Sequence, residues 1–553
     1  QGSTLLNLTD GTKTQNLDWD KITVDPDHLD GVGTKSYEAA GYTLMENAAG
    51  LDFTKGGNNT YVKKGGRKVG GTDKYEYVLD ANADEHGENA TKVTFTGYQF
   101  KDNQEAKYDA ADAGHGPHQT AWGGRSVIGN TVQNNKLTVS AGTAALNAYG
   151  GYIKDNAATG DAAENEITVK TSVTGDLYGG YTAGTGNAKN NTLHLLQGNV
   201  GGDLYAGYAQ SGETTGNTVN IGKGTAPANL TFTGTIYGGN QSGAGKDAGN
   251  TLNVKANAEA KNIKNFEHLN FNLNGSIMPV GSTILKLTDG VKTKELDWDK
   301  LKVDPMAFTG AGTKSYEALG YTLMENAAGL EFKKGGNDTY APLGARGETN
   351  GNLEYVIDTD THNADAKKVT LSGYQFQNNT QAKYDAADAA HGPHKEAWGG
   401  RTALGNTVTN NTLTVSNGNA TLNVYGGLVE RWTNTRKKGD ATKNTLVLKA
   451  GSTTANAFGA EVRTKDGKAE ENTVTMEGGT VNGSLAGGTL AAEDAKGNAT
   501  KNRVTLKDGT VTGDLYGGYL EKATATGSAK ENEVTIEGGT MADVYGGYTR
   551  RGG

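Results

Sequence analysis

One pattern dominates this chain: an aromatic residue followed by two glycines, returning about every 29 residues. In the first half the aromatic falls at Trp122, Tyr149, Tyr178, Tyr205 and Tyr237. In the second half the same position holds Trp398, Tyr425, Phe458, Ala486, Tyr516 and Tyr545. A fixed beat of this length marks a solenoid, in which each unit buries its apolar edge only against the next. Most units open with Asn and an alternating run, such as Ile167-Thr-Val169, Leu446-Val-Leu448 and Val534-Thr-Ile536. Alternation over so few residues has the period of a half-buried strand, not of a helix. A second short strand leads into the aromatic, usually through an apolar residue: Leu177, Leu204, Ile236, Val424, Leu515 or Val544. The fold class expected is therefore all-β: a parallel β-helix solenoid of coils near 29 residues. Filled with such coils throughout, the chain would hold roughly 19 of them at the strand spacing of about 4.8 Å.

A larger repeat encloses the small one. Thr283 to Tyr321 restates Thr4 to Tyr42, and the match runs on through Trp122 and Trp398. The chain is thus two tandem superunits. The reading divides it into an irregular segment (1–100), coils (101–258), a bridge (259–276), a second irregular segment (277–376) and further coils (377–553). The irregular segments lack the beat, and length alone leaves open whether they are wide coils or inserted domains.

Comparing units shows what each position demands. The glycine pair gives way only to Ala206 and Ala460, so the site needs a small residue or an unusual backbone angle. Three residues after the aromatic stand Tyr152, Tyr181, Tyr208, Tyr519 and Tyr548, but also Arg125, Arg401 and Glu461; a place that admits Arg and Glu is expected to face water. Two residues before the aromatic come Asp176, Asp203, Asp514 and Asp543, replaced elsewhere by Asn147, Thr235, Asn423, Asn456 and Ser484. Such short polar side chains suit turn backbone groups.

Composition narrows the function. There is no Cys, which suits a chain crossing an oxidising compartment unfolded. The net charge is −9 with both signs mixed, and the one short basic run is Arg436-Lys437-Lys438, so a nucleic-acid partner is not expected. No apolar run reaches the roughly 20 residues of a membrane-spanning helix, so direct insertion of this segment is not expected either. The chain opens at Gln1 without a signal peptide, which reads as a mature or excised segment.

The Asn502-Arg-Val-Thr-Leu506 to Asp514-Leu-Tyr-Gly-Gly-Tyr519 coils resemble those of passenger domains of bacterial autotransporter adhesins, haemagglutinin-like proteins of the Gram-negative outer membrane. The Asn265-Phe266-Glu267 to Phe271 stretch looks like a segment that recurs in those passengers. The likeness covers somewhat over half the chain. It implies secretion, display at the bacterial surface and attachment through a translocator β-barrel that is not in this sequence. The partners implied are host or bacterial cell-surface proteins or glycans, or copies of the chain itself.

Candidate chemistry is sparse. His115 and His118, repeated as His391 and His394, stand three apart near carboxylates and can ligate a divalent metal, although the spacing matches no standard zinc pattern. A polar loop turning at Gly-Pro and packing at a coil edge is the preferred account of them. The Asp row can bind Ca²⁺ or cleave sugars, but Asn, Thr and Ser at the same place in other coils favour a turn role. The aromatic ladder, Trp122 to Tyr545, can stack on sugars or on itself. Trp19 and Trp298 read as anchors, and Lys438-Gly439-Asp440 matches a short integrin-type tripeptide too common to use. No single coil breaks the pattern with a cluster of Asp, Arg and Lys of the kind an active site needs. The expectation is a non-enzymatic, cofactor-free adhesin or structural rod, with a self-assembling fibre subunit second and a polysaccharide-acting enzyme third.

Overall fold

In the computed structural model the chain is nearly all β, in parallel stacked sheets forming about 13 solenoid turns roughly 30 residues apart. The structure describes the chain apart from residues 1, 26–35, 38–40, 55–66, 70–72, 82–89, 114–117, 225–228, 242–244, 274–277, 279–280, 305–314, 317–319, 334–345, 361–365, 389–393, 431–438 and 551–553. It divides into two compact units: Gln1–Asn272 with Leu285–Val303 and Asn326–Gly335, and Leu273–Ile284 with Asp304–Glu325 and Gly336–Gly553.

In the first unit, the alternating strands Lys136–Ser140, Glu166–Val169, Thr192–Leu195, Thr218–Ile221 and Thr251–Val254 lie side by side in one parallel sheet. The strands carrying the aromatic, Thr120–Ser126, Asn147–Ile153, Leu177–Thr182, Leu204–Ala209 and Ile236–Gly239, form another. Like residues pair with like: Tyr178 with Tyr205, Gly180 with Gly207 and Ile167 with Leu193. The bridge is itself a coil, because Ile263 pairs with Ile236 and Leu269 with Leu252.

The second unit repeats the scheme. Its alternating sheet runs from Ala382–Asp385 to Glu533–Ile536, and its aromatic sheet from Glu396–Thr402 to Val544–Thr549. Inward residues such as Leu413, Leu446, Val474, Val504 and Leu515 form one continuous core.

The irregular segments explain why the turns number about 13 and not 19. Thr4–Leu8 and Thr14–Asp18 pair parallel with the long strand Tyr42–Thr54, as coils would. That strand then pairs antiparallel with Ala90–Gln99, which pairs antiparallel with Tyr75–Ala81. The second unit has the same antiparallel set in Tyr321–Asn326, Lys368–Gln375 and Leu353–Thr359. Hairpins take the residues that would have wound further turns.

These segments also cover the first coil of each unit. Tyr37 forms an antiparallel bridge to Ala121, and Tyr316 forms one to Ala397. The Trp122 N–H donates to Ser36 O and the Trp398 N–H to Ser315 O, each at 2.7 Å. An exposed strand edge invites pairing with other chains, and this contact occupies it.

Candidate functional site

Two internal ladders hold the aromatic face in place. The first is a file of buried asparagines: Asn135, Asn165, Asn191, Asn217 and Asn250 in the first unit, and Asn411, Asn444, Asn472 and Asn502 in the second. Each Nδ2 but that of Asn250, which ends the first file, donates to the Oδ1 of the next, at 2.9 to 3.2 Å. Each also donates to a backbone carbonyl, as Asn191 does to Ala162 O at 2.8 Å. Each Oδ1 accepts the backbone N–H of the asparagine before it, as Asn191 Oδ1 does from Asn165. No valence is wasted, which is what burial of an amide requires. The residue just before each asparagine turns the chain through the left-handed region. Glu164, Lys443, Glu471, Lys501 and Glu531 all have φ of 56°, a strained value for these residue types.

The glycine pair serves this ladder through space and not through backbone angle. A Cβ on Gly180 would lie 2.4 Å from Asn191 Nδ2, and one on Gly179 would lie 2.3 Å from Ala206 O. Neither glycine has a positive φ. The close approach decides between the two explanations that comparison of units leaves open.

The second ladder is aromatic. Tyr149, Tyr178, Tyr205 and Tyr237 stack with centroids 4.8, 5.2 and 4.5 Å apart and planes within 9°. Stacking uses up their ring faces, and Tyr149 and Tyr178 are buried. Burial pushes the Tyr149, Tyr178 and Tyr205 hydroxyls well above the usual tyrosine range. The aspartates are tied into the same face. Asp176 Oδ1 accepts the Asp203 N–H at 2.8 Å, and Tyr178 Oη donates to Asp176 Oδ2 at 3.2 Å. Asp514 likewise accepts the Tyr516 hydroxyl at 2.8 Å.

The position three after the aromatic does not simply face water. Arg125 and Glu461 are buried there, and Tyr152, Tyr181 and Tyr208 are half-buried. The hairpin supplies the cover: Arg125 lies between Tyr98 and Trp122, 4.6 and 4.4 Å from their centroids. Arg401 repeats this with Tyr374 and Trp398. A guanidinium clamped between rings trades water for the attraction of their π faces. Below, the buried Glu76 accepts from Ser126 Oγ, Val127 N–H and Asn130 Nδ2 at 2.6 to 2.9 Å, and Glu354 does so from Thr402, Ala403 and Asn406. Burial pushes both carboxyls above their usual range in spite of these bonds.

No single coil of the second unit carries a charged cluster, but three of them assemble one between them. Arg463 sends Nε to Glu461 (2.6 Å), NH1 to Glu430 (2.8 Å) and NH2 to Glu396 (3.0 Å) and to the Tyr425 hydroxyl (2.9 Å). Arg401 joins through Glu430 at 3.3 Å. Three coils thus contribute three carboxylates and two guanidinium groups. Burial pushes the Glu461 carboxyl up, and the surrounding carboxylates push Arg463 up. The cluster escapes a reading in beats because its members hold different offsets in three different coils. Two residues before Trp398, three after Phe458 and five after Tyr425 or Phe458 converge only once the coils are stacked.

The remaining candidates are distributed as follows. His115 and His391 lie outside the described residues. His118 stacks on Tyr37 at 4.4 Å and His394 on Tyr316 at 4.4 Å. Among the described residues, no three His, Cys, Asp or Glu side chains gather as a metal site would need. Trp19 and Trp298 are buried edge-on against Phe53 and Phe332, both at 5.2 Å. Lys438 lies outside the described residues, and Asp440 accepts the Lys468 N–H at 3.0 Å.

No protein-family model matches the chain, and no curated protein or solved structure matches it.

Proposed function

We propose that this chain is a secreted, surface-displayed adhesin or structural rod of a Gram-negative bacterium, of the autotransporter passenger kind, acting without catalysis. One observation carries the reading. The first unit keeps a continuous strip of half-buried tyrosines, Tyr152, Tyr181 and Tyr208, beside the stacked file of Tyr178 and Tyr205. Phenol edges on a rigid scaffold offer a partner contact area at little entropic cost. The partner is a host or bacterial cell-surface protein or glycan. The aspartates of the strip already serve backbone N–H groups and phenols, which suits a scaffold better than a catalyst.

The test is binding of the labelled chain to host and bacterial cells. Saturable binding that weakens when Tyr181 and Tyr208 are changed to Ala supports the reading, and its absence on every cell surface tried defeats it. A second reading draws on the Arg463 cluster. Paired carboxylates beside guanidinium groups on a β-helix suit a polysaccharide-acting enzyme. That reading predicts polysaccharide turnover which Glu430→Gln abolishes.

A further inference from the structure

The two copies hold the same arginine in the same clamp but give it different company. Arg401 lies 4.6 Å from the Tyr374 ring and 4.4 Å from that of Trp398, and Arg125 stands at the same distances from Tyr98 and Trp122. In the second unit the neighbouring coil supplies a counter-charge: Arg401 NH2 meets Glu430 Oε1 at 3.3 Å. Parallel register sets Arg401 beside Leu428 and Arg125 beside Tyr152. The residue two further along is therefore Glu430 in one copy and Lys154 in the other. Arg125 is only 5% exposed, its Nε has no hydrogen-bond partner, and no carboxylate among the described residues forms an ion pair with it. Glu76, buried under the same clamp, is bound to Ser126, Val127 and Asn130 instead.

Ring faces attract a cation but leave its N–H donors empty, and a guanidinium taken out of water gains most from a carboxylate. Glu430 shows where such a carboxylate sits against this clamp. Lys154 is exposed at the equivalent place, so it adds a second positive charge there. The surroundings continue the site along the rod. Tyr152 lies 5.4 Å from Arg125, Tyr181 follows at 5.5 Å from Tyr152, and Tyr208 at 4.9 Å from Tyr181. Beside them run the half-buried Asp176 and Asp203, whose oxygens keep lone pairs beyond the bonds they already accept. Such carboxylates accept hydroxyl protons but repel a row of further carboxylates. That favours a sugar chain with one acid group over an acidic peptide.

We infer that Arg125 and Lys154 form a carboxylate-binding subsite, and that the tyrosine strip of the first unit takes a glycan bearing a carboxylate sugar. The acid group takes the place that Glu430 fills in the second unit, and the neighbouring sugars lie along Tyr181 and Tyr208. The second unit has no such subsite, because its own glutamate already occupies the arginine. The inference rests on the surface-binding reading of this strip and names its ligand class.

The test is calorimetric titration of the full chain with three probes: oligomers of a uronic acid, the same oligomers with carboxyls reduced to alcohols, and polyglutamate. The expected result is binding of the uronic acid oligomers, with the other two weaker by about tenfold or more. Lys154→Glu rebuilds the Glu430 arrangement at an exposed position and leaves Arg125 and the rings in place. It should keep the wild-type far-ultraviolet dichroism and weaken uronic acid binding by about tenfold or more. Lys154→Ala, which only removes the second charge, should lose less. Equal binding of acid and reduced oligomers overturns the inference, as does equal binding of polyglutamate or indifference to Lys154→Glu. A chain that binds cells but no uronic acid oligomer overturns the subsite alone; one that binds the oligomers but no cell upholds the subsite and defeats the display reading.

Discussion

Two strips of equivalent residues have diverged. In the first unit the outer row runs Tyr152, Tyr181, Tyr208; in the second it runs Leu428, Glu461, Thr489 before it returns to Tyr519 and Tyr548, and Ala486 interrupts the aromatic file beside it. The asparagine file beneath is built the same way in both, each amide bonded to the next at about the same distance. A buried amide with every valence used tolerates no replacement, because its neighbours would lose bonds they cannot recover from water. The outer row carries no such constraint: it is a tyrosine strip in the first copy, and in the second it joins an ion cluster in the early coils before Tyr519 and Tyr548.

Four changes would break or sharpen that contrast. The largest effect belongs to the shared file. Asn191→Ala and Asn472→Ala each leave a backbone carbonyl, a backbone N–H and a neighbouring amide unpaired, and each is expected to cost about 4 kcal/mol. The measurement is denaturant unfolding of both variants; unequal costs would show that the copies do not share one scaffold.

Next comes the divergent cluster. Arg463→Ala removes the group that neutralises Glu396, Glu430 and Glu461, and is expected to cost about 3 kcal/mol. Arg463→Ala with Glu461→Gln should recover part of that loss, read by the same denaturant titration. At the matching place the first copy carries Ala183, so no comparable charge is there to be lost.

A smaller effect concerns acid and base. Glu76 and Glu354 have carboxyls raised above the ordinary 4.5 by burial. A raised folded value gives a contribution that is present below the ordinary value and is lost as pH rises through the raised one. Thermal melts should therefore favour acid over neutral solution through these clamps, and Glu76→Gln with Glu354→Gln should flatten that dependence. The smallest effect is on the surface: Lys189→Ala breaks an exposed pair with Glu213 and should change stability by less than about 0.5 kcal/mol in an unfolding titration.

Much of the architecture was legible from repetition. The beat at Tyr149, Tyr178 and Tyr205 led directly to parallel stacking, because one coil's apolar edge has no other cover. The asparagines were visible as unit openers, but their burial was not, since Asn is ordinarily a turn residue and its depth depends on the left-handed residue before it. The Arg125 sandwich was misread as a wet position because the cover, Tyr98, comes from a hairpin with no beat of its own. The Arg463 cluster was illegible for a related reason: it exists only across three coils.

The central claim is that consecutive coils lie in contact at fixed register, with Tyr181 on Tyr208. The chain has no cysteine, so a double variant contains only the two thiols placed in it. Mild oxidation of Tyr181→Cys with Tyr208→Cys measures the claim directly, since a disulfide spans only about 4.4 to 6.8 Å between Cα atoms. The account predicts rapid intramolecular cross-linking for this pair and none for Tyr181→Cys with Asn240→Cys, which lie two coils apart. Cross-linking of the distant pair, or none for the adjacent one, would contradict it.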